Sequence, residues 1–170
     1  MIQVLIAVMP SHRISCYIPY RRDQIFDLAA DVERYPEFLP WWAVARVWKR
    51  EGNVYYTDQV IRFATVRRRL KSKTVLQRPE RIDVTSSDGA VRNLHLTWLF
   101  DSRPRKGCQV SLTVDLELRP QLLQNLFAHA MIRAIGPIMS AFEARAHRLY
   151  GPMSCDFITP GEPSSGDTMI

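Results

Sequence analysis

The sequence is poor in the residues that build cross-linked or metal-held folds. Its cysteines are Cys16, Cys108 and Cys155, far apart and without the paired spacing of a disulfide framework, a redox motif or a zinc site. That points to a reducing cytoplasm and to no metal. Histidine is equally thin: His12, His95, His129 and His147 are scattered, and no two flank a glutamate at helical spacing. The glycines form no phosphate-cradling cluster, and no serine sits between two of them as a nucleophile elbow. Long apolar runs are missing too. Residues 1–9 are apolar but too short to span a bilayer, and they lack a basic leader and a small-residue cleavage site. Residues 1–10 are read as a strand-like extension or the product of a start codon placed too early.

What is present describes one packed domain. A chain of 170 residues with 46% hydrophobic and 24% charged side chains fits a single core rather than two marginal ones or a disordered chain. Lys and Arg exceed Asp and Glu by 23 to 17, a balance that favours phosphate-rich partners, either anionic lipid or nucleic acid.

Periodicity orders the elements. His12, Ile14, Cys16 and Ile18 alternate with polar neighbours and predict a first strand, ended by Pro19. Ile25, Phe26, Leu28 and Ala29 predict a short helix over 23–31, with a second helical turn around 33–39 closed by Pro40. From 43 to 118 the period is two, interrupted at Gly52-Asn53, Arg78-Pro79, Asp88-Gly89 and 103–107, which predicts an antiparallel meander. Cys108, Val110, Leu112, Val114, Leu116 and Leu118 share one face of its last strand. Pro120 opens a long amphipathic helix carrying Phe127, Met131, Ile135, Ile138, Phe142 and Leu149, and Pro137 inside it is expected to kink it. Residues 152–170, rich in Pro, Gly and Ser without a period, read as a disordered tail. The domain therefore spans 11–151, and a sheet curled around its last helix can leave a cavity between them.

Three features carry candidate chemistry. The turn 35–42 packs four aromatic rings and Leu39 between prolines; Phe38, Leu39, Trp41 and Trp42 either plug the core or form the apolar mouth of a cavity at a membrane surface. Arg67, Arg69, Lys71 and Lys73 share one strand face, either as a solvated surface or as a contact for lipid headgroups or RNA phosphates. Aromatics are not interleaved with those cations along the strand, which weighs against single-stranded RNA. Phe127, Met131, Ile135 and Ile138 mostly cover the sheet, and a subset would face a ligand, with Met131 suited to a flexible chain. Catalytic pairings are weak: Asp115 and Glu117 lie on a polar strand face, and Asp58 and Arg62 are the nearest polar groups for a cyclase.

The run Val32-Glu33-Arg34-Tyr35-Pro36-Glu37-Phe38-Leu39-Pro40-Trp41, with Asp88-Gly89, Leu94, Trp98-Leu99-Phe100 and Ala141-Phe142-Glu143-Ala144-Arg145-Ala146, resembles the coenzyme Q-binding protein family. That family lies in the START-like superfamily, and its bacterial members include ribosome-association toxins. The likeness covers about 11–151. It departs at Trp42, where the family usually has Cys, and at Ala90-Val91, where it usually has Pro-Phe. The resemblance implies an α+β helix-grip fold. It implies a tunnel for a polyprenyl quinone such as ubiquinone, lined by Phe38, Leu39, Trp41, Trp42, Phe63, Trp98, Phe127, Met131, Ile135 and Ile138. The expected role is non-enzymatic: quinone carriage for respiration or quinone biosynthesis, peripheral at the inner membrane. The alternatives are a ribosome-bound inhibitor of subunit joining and a polyketide cyclase or aromatase.

Overall fold

The computed structural model of the chain describes residues 11–63, 66–88, 91–103, 107–119 and 121–152, with side chains at all of these except 63, 66, 121–132 and 135. The expected extension at 1–10, the tail from 153 onward and Pro120 lie outside the described residues. Seven strands form one antiparallel sheet: β1 Ser11–Ile18, β2 Trp42–Glu51, β3 Val54–Phe63, β4 Val66–Gln77, β5 Arg81–Ser86, β6 Val91–Arg103 and β7 Gly107–Leu118. Their order across the sheet is β1-β7-β6-β5-β4-β3-β2. Every neighbouring pair from β2 to β7 follows directly in sequence, as a meander built on short turns requires. The segment between β1 and β2 carries α1 (Arg22–Ala30) and a 3-10 turn (Val32–Glu37), and so takes the chain from one sheet edge to the other.

Alternation decides which face is covered. On β7, Cys108, Val110, Leu112 and Val114 are buried, and their cross-strand partners continue the same rows: Leu112 faces Trp98, which faces Ile82, while Val110 faces Phe100. These rows form the inner face. The last helix, α2 (Gln121–Tyr150), has its closest backbone approaches to α1, β1 and β7. Its C-terminal half buries Met139, Phe142 and Ala146 there. Pro137 lies within the helix on its exposed side, where a missing donor is least costly to the fold. Gly107 opens β7 where the Tyr17 ring lies directly against it, leaving no room for a side chain.

α1 ends with unsatisfied carbonyls, as any helix does. Two tyrosines answer them: Tyr35 donates to the Ala29 carbonyl at 2.6 Å and Tyr55 to the Ala30 carbonyl at 3.1 Å. Burial pushes both phenols up, that of Tyr55 to about 12, so each remains a proton donor throughout the physiological range. The helix end, the aromatic turn and β3 are thereby fixed to one another.

Candidate ligand-binding site

The aromatic turn is held from three sides. Tyr35 is 8% exposed and Leu39 1%, so both belong to the core. Phe38 and Trp42 are half-buried and meet Tyr35 edge-on, with ring centroids 5.8 and 5.7 Å away. Phe142 of α2 sits at the centre, 5.4 Å from Tyr35, 5.1 Å from Phe38 and 5.3 Å from Trp98, all edge-to-face. Such pairs add about 0.5–1.5 kcal/mol each beyond their area burial. Outside the rings, Glu37 accepts from Arg34 and from Arg145, both at 2.6 Å, and the Arg145 guanidinium lies 5.6 Å over the Phe38 ring. Those two arginines, Arg34 foremost, hold the Glu37 carboxyl below its ordinary range. The turn is therefore clasped to α2 rather than projecting freely.

Beyond this packed end the inner face opens. Ile82, Trp98, Phe100 and Val110 are buried; in the next two rows Val114, Leu94 and Ser86 are buried too, while Val84, Leu96 and Leu116 beside them are only partly buried. β5, β6 and β7 are interior strands, so these side chains do not owe their exposure to the edge of the sheet. Leu70 on β4 and Ile14 on β1 extend the half-buried apolar surface to either side. A close-packed interior leaves no such surface, whereas one wall of a cleft does.

A polar strip borders this apolar wall. Thr57, Gln59, Ser72, Thr74 and Ser86 are buried on the inner face of β3, β4 and β5. The Trp42 indole donates to Gln59 Oε1 at 2.7 Å, Gln59 Nε2 donates to Thr57 Oγ1 at 2.9 Å, and the Thr57 and Ser72 hydroxyls lie 2.6 Å apart. Two hydroxyl protons share that last contact and only one is used. Whichever hydroxyl donates, the other retains a proton with no acceptor among the described residues. The strip is neutral, and its hydroxyls hold one proton more than their mutual contact uses.

The expected site residues divide among these features. Trp98 stands on the inner wall, stacked on Phe100 at 6.1 Å, and Ile138 packs half-buried against the core. Trp41 precedes β2, and its carbonyl accepts from Arg62 N at 2.7 Å. Phe127, Met131 and Ile135 are on α2 and Phe63 ends β3, with side chains outside the described set. Arg67, Arg69, Lys71 and Lys73 are all exposed on the opposite, outer face. Asp58 and Arg62, expected as polar groups of an interior, are instead on that outer face: they alternate with the buried Thr57 and Gln59, and Asp58 is held by Arg69. His95 is also on the outer face, 3.3 Å from an Asp83 carboxylate already held by Arg81. Sequence reasoning missed Gln59, Thr57 and Ser72. Among the described residues, no cluster of His, Cys, Asp or Glu is placed to hold a metal, and no helix is long and apolar enough to cross a membrane.

Known proteins agree with this geometry. The chain is 28% identical over 137 residues to the ribosome association toxin RatA of Pseudomonas aeruginosa, covering 81% of this chain and 95% of that one. It is 26% identical over 134 residues to the mitochondrial coenzyme Q-binding protein COQ10 homolog B of Xenopus laevis, covering 76% of this chain and 54% of that one. The Zhui aromatase/cyclase of Streptomyces sp. R1128 superposes with a TM-score of 0.77 at 15% identity, over 84% of this chain and 96% of that one, a likeness of fold. Residues 18–143 match the family described as polyketide cyclase / dehydrase and lipid transport, and with the curved sheet gripping a C-terminal helix this establishes that the chain belongs to that family, of START-like fold.

Proposed function

We propose that the protein binds a neutral, hydrophobic, lipid-like molecule of the polyprenyl quinone type, such as ubiquinone, between the inner wall and α2, and carries it chemically unchanged. The observation that carries this reading is the half-buried apolar surface of Val84 and Leu96, paired across β5 and β6, and of Leu116 one row on, all on interior strands. The neutral strip of Gln59, Thr57 and Ser72 beside it suits a quinone oxygen and disfavours a carboxylate, which would be desolvated there without a cation. The likeness to a coenzyme Q-binding protein supports the same ligand class. Trp98 on this wall supplies the assay. Titration of the full chain with ubiquinone-2 is expected to quench its fluorescence saturably, while palmitate competes weakly or not at all. Absence of saturable quenching, or equal competition by palmitate, contradicts the reading.

A second reading, association with the ribosome, is favoured by the exposed row of Arg67, Arg69, Lys71 and Lys73 and by the RatA relatives. It uses the opposite face of the sheet and is compatible with a bound ligand. Sedimentation with ribosomal subunits over a salt series tests it, since phosphate-driven binding weakens steeply with salt.

A further inference from the structure

Along β4 alone the cations have no aromatic neighbours, but the sheet supplies them from the side. The pairing of β2 with β3 shifts register between Val47 and Lys49, so that Thr57 faces Val47 and the next residue, Tyr56, faces Lys49. Trp48 is the extra residue of this bulge. A bulge sets two side chains against one partner and re-aims them. Here both reach Tyr56: the Trp48 ring lies 5.5 Å from the Tyr56 ring, and Lys49 Nζ lies 5.5 Å from its centre. Trp48 is 58% exposed and takes no part in the core. Such an apolar ring left in water, paired with a second ring, is a feature the fold does not need.

The register then places cations around the pair. Tyr56 faces Lys73, Asp58 faces Lys71, and Arg62 faces Arg67. The two carboxylates on this surface are already paired, Asp58 with Arg69 and Glu51 with Lys49. Arg46 and Lys71 flank Asp58 across the sheet and help to hold its carboxyl below its ordinary range after Arg69, but neither closes an ion pair with it, and Arg67 and Lys73 have no ion pair among the described residues. Alternate side chains stand about 6.8 Å apart along a strand and about 4.8 Å apart across strands, a grid of positive charge around two rings on the outside of the curved sheet.

We propose that the outer face of β2, β3 and β4 binds single-stranded RNA, with Trp48 and Tyr56 stacking on bases and Arg67, Lys71 and Lys73 on the phosphates. This deepens the ribosome reading and rests on it for biological context, but the surface is testable with RNA alone. Stacked rings set among cations are the recognition chemistry of unpaired nucleic acid, because every base has a face and a duplex hides it. A membrane surface is disfavoured: beside Trp48, Val44 is the other exposed large apolar residue among those described on these strands, too little to enter the acyl region.

The test is fluorescence anisotropy of the full chain with fluorescein-labelled U20 RNA between 50 and 200 mM KCl. Trp48→Ala is expected to weaken binding about tenfold with the salt slope unchanged, within the roughly 5- to 150-fold that one stacked base is worth. Lys71→Glu with Lys73→Glu is expected to weaken it further and flatten the slope. Arg148→Glu, exposed on α2, is the control and is expected to have little effect. Unchanged melting temperatures show that each variant folds. The proposal is overturned if U20 fails to bind at 50 mM KCl, if Trp48→Ala binds like the parent, if a U20·A20 duplex binds equally well, if Arg148→Glu matches the lysine reversals, or if vesicles of phosphatidylcholine and phosphatidylglycerol are bound in place of RNA. Sedimentation with ribosomal subunits but no U20 binding refutes this surface and leaves the ribosome reading standing.

Discussion

Substituting Val84 by Phe asks whether the inner wall faces a cleft. Val84 is half-buried on an interior strand, with Thr74 and Leu96 as its cross-strand neighbours. Val110, on the same face of the sheet, has no exposed surface at all. Enlarging a side chain in a closed core forces rotamer and backbone shifts that cost about 1–3 kcal/mol. Enlarging one that borders open space instead removes further apolar area from water, a gain of up to about 1 kcal/mol at roughly 25 cal/mol per Å². Val84→Phe is therefore expected to fall within about 0.5 kcal/mol of the parent or slightly above it, and Val110→Phe about 1–3 kcal/mol below. For a domain of this size 1 kcal/mol moves Tm by about 2–4 °C, so calorimetry separates the two. The same Val84→Phe variant is expected to lose ubiquinone-2 affinity severalfold because the guest's space is filled. Equal destabilisation by both substitutions would show a closed wall and refute the reasoning.

Phe142→Ala removes the ring at the junction of turn, helix and sheet; a loss of about 3–5 kcal/mol is expected in urea unfolding, and a loss under 1 kcal/mol would mean the aromatic cluster is not packed. Gln59→Leu orphans the Trp42 indole donor, for an expected cost of about 1–3 kcal/mol, and lowers quinone affinity; stability equal to the parent would contradict the hydrogen-bonded strip. Glu37→Gln tests the clasp by its pH dependence. Because Arg34 and Arg145 depress the folded carboxyl, its contribution is present above the unfolded value near 4.3 and is lost as pH falls through the lower folded value. The urea midpoints of parent and variant are thus expected to differ at pH 7 and to converge as pH falls through the lowered folded value, whereas a gap independent of pH would show that charge plays no part.

How much of this was legible in sequence depended on whether a strand has an apolar face. β7 alternates cleanly from Cys108 to Leu118, and its buried side was read correctly, as was the outer row of Arg67 to Lys73. β3 does not alternate in hydropathy: Tyr55, Thr57 and Gln59 on one side oppose Tyr56, Asp58 and Val60 on the other. Hydropathy there cannot name the inner face. Only pairing with β4, where Ser72 and Thr74 are also buried, turns Thr57 and Gln59 inward and puts Asp58 outside. The density of rings in the turn 35–42 was plain, but the hub that orders them, Phe142, lies a hundred residues later and comes into place through tertiary packing. The bulge at Trp48 has no local signature, since an extra residue is defined by the partner strand it slips against. The long-range contacts thus added Thr57, Gln59 and Trp48 to two faces whose apolar and cationic rows the local pattern already showed.

The central claim is that the inner wall holds a neutral polyprenyl lipid. Organic extraction of the purified full chain followed by mass spectrometry tests it most directly. A quinone-like polyprenyl molecule approaching one per chain is expected, with its depletion in Val84→Phe. Extracts without lipid, together with failure to take up ubiquinone from vesicles, would contradict it.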